Sequence, residues 1–328
     1  MELEEMVVFS LLGLPVTSYA LCLALGLGAG LLLYFWWARR QGIGENPRWR
    51  GALLALPLGV IGARLFYCLA RIYLYEEIGL DAVFRLWEGG YALWGAVGGA
   101  ALGGFLAAKI SRCSAASLLD AMAFPGAVMI ALARLAEYFS GEGRGLPVEN
   151  ETFQRFPLAV YYEAFDAWYI PVFLLEALAA LAIAWAVAKR KPARPGDGAR
   201  LFLLLYSACQ ITLESLRRDL CLKWLFVRVS QVTALIVILG LMAAATLRFC
   251  ASKKSRLVSP RKAALRWLAV ALSAGLVVLM EFSVDGKLLQ SIPLSVNYLV
   301  IALCSAVIGW AAYGLVFPER REAPKTAF

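Results

Sequence analysis

The sequence predicts an all-α, polytopic integral membrane protein, a helical bundle with little mass outside the bilayer. Three observations predict it. Of 328 residues, 61% are hydrophobic and only 17% charged, whereas a soluble domain is about half apolar and a quarter charged. Mean hydropathy is +0.71. Apolar runs of about 20 residues, the length that crosses a hydrocarbon core, recur from one end of the chain to the other. A soluble enzyme is excluded.

The expected spans follow in order at 17–38, 52–74, 91–110, 117–138, 168–189, 200–216, 227–248, 264–282 and 295–317. Charges interrupt the fourth and the sixth. With the N-terminus outside, the basic clusters fall inward: Arg39, Arg40, Arg48 and Arg50; Lys189 to Arg200; and Arg248 to Arg266. Basic residues favour the cytoplasmic side, so the orientation is N-out and C-in. The excess of 32 Lys+Arg over 23 Asp+Glu has the same origin and does not point to nucleic acid. Two outer segments are more than linkers. Residues 75–90 (YEEIGLDAVFRLWEGG) and 139–167 (FSGEGRGLPVENETFQRFPLAVYYEAFDA) read as caps lying at the membrane surface, the first with Phe84 and Trp87 as interfacial anchors. Residues 1–250 form a seven-span core, and residues 251–328 append two further spans.

The chain has no histidine. Imidazole is thereby excluded as base, nucleophile or metal ligand. The seven cysteines (22, 68, 113, 209, 221, 250 and 304) lie mostly within apolar runs and form no CxxC. They read as small hydrophobes, with no disulfide framework, metal site or other cofactor expected. The start, MELEEMVV, lacks the basic residues of a cleaved signal peptide.

In the third span Gly95, Gly99 and Gly103 recur every four residues. That face admits a neighbouring helix closely, or a lipid tail. Ionisable groups inside spans are costly and therefore candidates for function. Arg64 sits in GVIGARLFYCL, Arg134 and Glu137 in MIALARLAEYF, Glu176 in FLLEALAAL, and Gln210 and Glu214 in LYSACQITLESLRRD. Arg134 and Glu137 share a helix face, as do Gln210, Glu214 and Arg217. Two readings fit. The charges pair internally and lock the bundle, or they converge on an outward-opening, arginine-lined pocket for an anionic phospholipid headgroup. Ser117-x-x-Asp120 reads as a capping box.

Four blocks resemble the prolipoprotein diacylglyceryl transferase family: GARLFYCL, FRLWEGGYALWGAVGG, LLDAMAFPGAVMIALARLAEYFSGEGRG and LFLLLYSACQITLESLRRD. They are similar to that family's GGR-x-x-Y, WDGG…HGG, GR-x-x-N-F-x-N-G-E-x-x-G and LY…R-x-x-x-E-x-x-R blocks. The resemblance implies a seven-span transferase fold over about residues 15–250. It also implies transfer of diacylglyceryl from phosphatidylglycerol to a lipobox cysteine thiol of a preprolipoprotein, at the bacterial plasma membrane. By position it marks Arg64, Tyr67, Glu88, Gly89, Gly90, Arg134, Gly141, Glu142, Gly145, Glu214 and Arg217 as site residues. Trp94 stands where the family has His, Glu137 where it has Asn, and Gln210 where it has a second Arg. A base must then be a carboxylate, Glu137 or Glu142, with Arg134 and Arg64 on the phosphate. A paralogue acting on another lipid, and a non-catalytic lipid-binding protein, are the alternatives.

Overall fold

A computed structural model of the chain describes residues 7–11, 14–85, 89–190, 193–219, 222–224, 227–251, 259–289 and 291–318. The described residues fall into two compact units, Met1–Phe202 with Leu216–Ser230, and Leu203–Ser215 with Gln231–Phe328. The expected division at residue 250 is therefore not where the packing divides. Most of the sixth and seventh spans joins the appended pair.

In the first unit a short hairpin, β1 (Val7–Leu11) and β2 (Leu14–Thr17), leads into α1 (Ser18–Arg40). Thr17 caps that helix by accepting from the Ala20 amide at 3.2 Å, and Arg39 and Arg40 sit at its C-terminal end, where cations are favoured. Helix α2 (Glu45–Ala70) contains Pro57 and gives way at Arg71 to the short α3 (Ile72–Ile78). A 3-10 turn at Leu80–Phe84 follows, so the first expected cap segment has structure. Phe84 in it is exposed, whereas Trp87 lies outside the described residues.

Helix α4 (Leu93–Ile110) settles the glycine stripe as helix packing. A methyl group at Gly95 would collide with the Gly62 carbonyl, and one at Gly99 with the Leu58 carbonyl. At Gly103 it would lie 2.6 Å from the Ala55 Cα. The backbones of α2 and α4 touch over three turns, and glycine is the residue that permits it.

Helix α5 (Ala115–Ser140) is capped by Ser114, which accepts from the Ser117 amide at 3.3 Å. Ser117 is thus inside the helix, and the capping box expected there is not formed. Asp120 instead caps a different helix, α7 (Asp197–Leu216), accepting from the Gly196 amide at 2.6 Å and the Ala199 amide at 2.8 Å. A carboxylate at a helix N-terminus satisfies unpaired N–H groups and opposes the helix dipole. Between α5 and α6 (Val172–Lys189) the second cap segment folds as a three-stranded antiparallel sheet. Its strands are β3 (Arg144–Pro147), β4 (Val160–Tyr162) and β5 (Ala167–Pro171), in the order β3-β5-β4. The aromatic and β-branched residues of VYY and AWYI suit such strands. A two-residue hairpin, β6 (Lys223–Trp224) and β7 (Val227–Arg228), precedes α8 (Val229–Ala251).

In the second unit, the larger part of α7 packs with α8, α9 (Pro260–Val284) and α10 (Leu294–Val316). The Gln231 amide bridges two of its elements, donating to the Ile211 carbonyl at 3.0 Å and to Glu281 at 2.7 Å. Thr212 and Ser305 hydroxyls lie 2.5 Å apart, and Asn297 donates to Ser283 at 2.9 Å.

Among the described residues eight helices are long and apolar enough to cross a membrane, all except α3 and α7. The expected sixth span is helical, but Asp197, Arg200 and Glu214 leave α7 less apolar than the rest. The protein is a multi-pass membrane protein whose regular structure is overwhelmingly helical; among the described residues one small sheet precedes α1 and two lie between helices.

Candidate functional site

In the first unit four buried charged residues, Arg134, Glu137, Glu176 and Arg217, come together in one cluster. Arg134 and Glu137 lie one turn apart near the C-terminal end of α5, and Arg134 Nη1 donates to Glu137 Oε1. Glu176, on the second turn of α6 and 2% exposed, places Oε2 3.3 Å from Arg134 Nε and 3.0 Å from Arg217 Nη1. The same Arg217 nitrogen lies 3.3 Å from Glu137 Oε2. Arg134, Glu137, Arg217 and Glu176 thus close a ring of alternating charge.

Arg217 follows the last residue of α7, so its position comes from its partners and not from helix periodicity. Its remaining nitrogens engage Asp219 in a fork, Nε to Oδ1 at 3.1 Å and Nη2 to Oδ2 at 2.6 Å. This planar, two-point contact is what a guanidinium offers and an ammonium does not. Asp219 Oδ2 also accepts the Gly143 amide at 2.7 Å. Burial raises the Asp219 carboxyl, but Arg217 and the Gly143 amide outweigh it and hold the group below its ordinary value. Buried Arg228 donates to the Arg217 carbonyl at 3.0 Å and brings a third guanidinium alongside. Three carboxylates, Glu137, Glu176 and Asp219, therefore face the two guanidiniums of Arg134 and Arg217.

The turn after α5 positions the rest. Gly141 ends the helix in the left-handed region, φ 69°. Gly143 repeats that conformation, φ 69°, and a side chain there would lie 2.6 Å from Phe173 Cβ and 2.8 Å from Glu137 Oε2. Only glycine brings this amide to Asp219. Between the two, Glu142 is an exposed side chain at the edge of the cluster. Desolvation by the surrounding protein, and secondly the Glu137 charge, push its carboxyl above the ordinary value. Gly145 lets β3 approach the β5–α6 junction, since a Cβ would stand 2.9 Å from Val172 Cγ2.

Arg64 is engaged elsewhere. It is 3% exposed, and its guanidinium donates to backbone carbonyls of the segment after α3. These are Ala82 at 2.7 Å, Val83 at 3.1 Å, Arg85 at 3.1 Å, Gly90 at 3.4 Å, and Gly89. Its geometry is that of a loop anchor. Gly90 (φ 73°) completes the anchor, because a side chain there would come within 2.6 Å of Tyr67 and 2.9 Å of Arg64 Nη1. Trp94 is buried at the start of α4, and Glu88 lies outside the described residues. Gln210 and Glu214 belong to the second unit, where Gln210 Nε2 donates to Glu214 at 3.1 Å.

Sequence reasoning did not mark Asp219 or Arg144. Asp219 ends the quoted run LESLRRD, and its acid beside two arginines was the available signal. Arg144 lies in GEGRG; its Cζ stands 3.7 Å from the Phe165 ring centroid, 5.6 Å from Tyr169 and 5.7 Å from Tyr162. Aromatic residues at 162, 165 and 169 were the signal for such a cage. Burial pushes the Tyr162 hydroxyl up to about 12 against the opposing pull of Arg144, so it stays a hydrogen-bond donor.

The sequence profile of the family described as prolipoprotein diacylglyceryl transferase matches residues 6–247, which leaves α9 and α10 beyond it. A Frankia alni protein named phosphatidylglycerol–prolipoprotein diacylglyceryl transferase is 31% identical over 236 residues, 70% of this chain and 62% of its own length. One in Mycobacterium leprae with the same name is 33% identical over 180 residues, 53% of this chain and 52% of its own length. Streptomyces coelicolor has one with that name and the number 2, 31% identical over 249 residues, 70% of this chain and 75% of its own length. The chain thus spans between about half and three quarters of these relatives. With the profile covering well over half of its residues, the chain belongs to the prolipoprotein diacylglyceryl transferase family.

Proposed function

We propose that this protein transfers the diacylglyceryl group of phosphatidylglycerol to the thiol of a lipobox cysteine in a preprolipoprotein, at the bacterial plasma membrane and with its N-terminus outward. The observation that carries the reading is the ring of Arg134, Glu137, Arg217 and Glu176 inside the stretch the family profile matches. In the reaction the cysteine sulfur bonds to the glycerol carbon. The carbon–oxygen bond to the phosphate breaks, and glycerol phosphate leaves with the electron pair. The thiol proton passes to a base.

Glu142 is that base. It sits at the edge of the cluster, its raised affinity for protons suits proton abstraction, and Glu137 is already held by two arginines. Arg134 and Arg217 pair with Glu137, Glu176 and Asp219 and fix the α5 terminus and the Gly141–Gly145 turn. Arg64 and Gly89–Gly90 hold the segment that leads into Trp94.

The test supplies membranes containing the protein with acyl-labelled phosphatidylglycerol and a lipobox peptide. Label is expected in the peptide, with at least a hundredfold loss in Arg134→Ala, and the chain is expected to rescue a transferase-depleted strain. No label and no rescue refute the reaction. Transfer indifferent to Arg134→Ala refutes the site. Trp94, buried where the family carries histidine, favours a second reading, lipid binding without transfer, which the same assay separates.

A further inference from the structure

The arginines that the sequence offers for an anionic headgroup are all engaged. Arg134 and Arg217 face three carboxylates, and Arg64 is bound to five carbonyls. Arg144 is different. It is half-buried at the first residue of β3, two residues beyond Glu142, and its guanidinium is held by ring faces. Phe165 supplies the closest, with Tyr162 and Tyr169 beside it. Among the described residues no hydrogen bond or ion pair engages its side-chain N–H groups. Stacking on aromatic faces leaves the in-plane donors available and the charge uncancelled, the state in which a guanidinium takes a phosphate in two-point fashion.

The backbone fixes where that charge stands. The Arg144 carbonyl accepts the Arg218 amide at 2.7 Å, and the Gly143 carbonyl accepts the Phe173 amide at 2.9 Å. Residue 144 is therefore tied to the Arg217–Asp219 segment and to the start of α6. A second polar group in the cage has no partner of its own. Tyr162 is 7% exposed, and among the described residues its buried hydroxyl has no hydrogen-bond partner.

We propose that Arg144, caged by Tyr162, Phe165 and Tyr169, is the cation that binds the phosphate group of the substrate, with the Tyr162 hydroxyl as a further donor to it. That the phosphate belongs to phosphatidylglycerol rests on the function proposed above. The ligand chemistry, a phosphate ester anion, does not.

The test uses the full chain in phosphatidylcholine nanodiscs, titrated calorimetrically with dioctanoyl phosphatidylglycerol, with glycerol phosphate, and with uncharged dioctanoylglycerol. Wild type is expected to bind phosphatidylglycerol at least about tenfold more tightly than dioctanoylglycerol, the scale of one charge-assisted hydrogen bond. Arg144→Gln is expected to lose that preference, Arg144→Lys to retain part of it, and Tyr162→Phe to reduce it severalfold. Glycerol phosphate binding as tightly as the lipid would assign the site to the soluble phosphate; weaker binding assigns it to the headgroup. Either outcome supports the proposal. A wild type without preference for the anion overturns it, as does a folded Arg144→Gln that keeps the preference. Should Arg144→Gln not fold, undiminished anion preference in both Arg144→Lys and Tyr162→Phe overturns it. Anion binding that depends on Arg144 without any label transfer keeps this assignment and refutes the transferase reading. Transfer with binding indifferent to Arg144 does the reverse.

Discussion

Replacing Glu176 by Gln keeps the shape of the side chain and one acceptor oxygen but removes its charge. The carboxylate now serves two guanidiniums, Arg217 at 3.0 Å and Arg134 at 3.3 Å. An ordinary hydrogen bond between membrane helices contributes only about 0.6 kcal/mol, so loss of hydrogen bonding alone would be a small effect. Charge is the larger quantity. Unit charges about 4 Å apart interact by about 4 kcal/mol at an effective dielectric near 20, and breaking a buried pair costs about 3–5 kcal/mol. Part is recovered because one fewer ion has to be desolvated, and Arg134 and Arg217 still share Glu137. The expected loss is about 3 kcal/mol. Reversible unfolding in mixed micelles, followed by helical circular dichroism against the fraction of denaturing detergent, measures it. Adding Arg217→Gln to Glu176→Gln should cost less than the sum of the single changes by at least about 1 kcal/mol, because the two residues are in contact. A Glu176→Gln loss below about 1 kcal/mol, with an additive double variant, would refute the charge ring as a source of stability.

Three further outcomes follow from the geometry. Gly99→Leu drives a side chain into the Leu58 carbonyl, so α2 and α4 must separate; a fully folded, protease-resistant variant would contradict the contact. Asp120→Ala removes the acceptor for the Gly196 and Ala199 amides, costs about 1–2 kcal/mol, and should speed hydrogen exchange at those two amides, with unchanged exchange counting against the cap. The Glu142 carboxyl is raised above its ordinary value and must be deprotonated to act, so transfer should fall as pH drops through that raised value. The acid limb should thus lie above that of a free glutamate and vanish with the residual rate in Glu142→Gln; an unshifted limb would exclude Glu142 as the base.

What could be read in the chain depended on which forces acted there. Among the described residues the eight helices long and apolar enough to cross a membrane were legible, because length and hydropathy are what mark them. Helix ends were less so. Helix α2 starts at Glu45, well before its apolar run, since the polar stretch ENPRWRG continues the helix out of the apolar zone. The sheet between α5 and α6 was read only as a cap, because strands of three to five residues carry too little alternation to recognise. In the cluster, the three-residue spacing of Arg134 and Glu137 placed them on one face, and Glu176 stood out as an acid within an apolar run. Periodicity puts Arg217 on one helix face with Gln210 and Glu214, but Arg217 and Asp219 both lie past the end of α7, where helical spacing no longer holds. Arg64 was read as a headgroup cation for a related reason. Its partners are backbone carbonyls, which no residue pattern advertises.

The bond between Asp120 and the N-terminus of α7 bears on how the chain enters the bilayer. Helix α7 is not among the helices long and apolar enough to cross a membrane, and the amides at its N-terminus have no partner within the helix. Asp120 is made much earlier in synthesis, on a helix apolar enough to insert independently. A resident α5 thus offers the incoming segment an acceptor already in place.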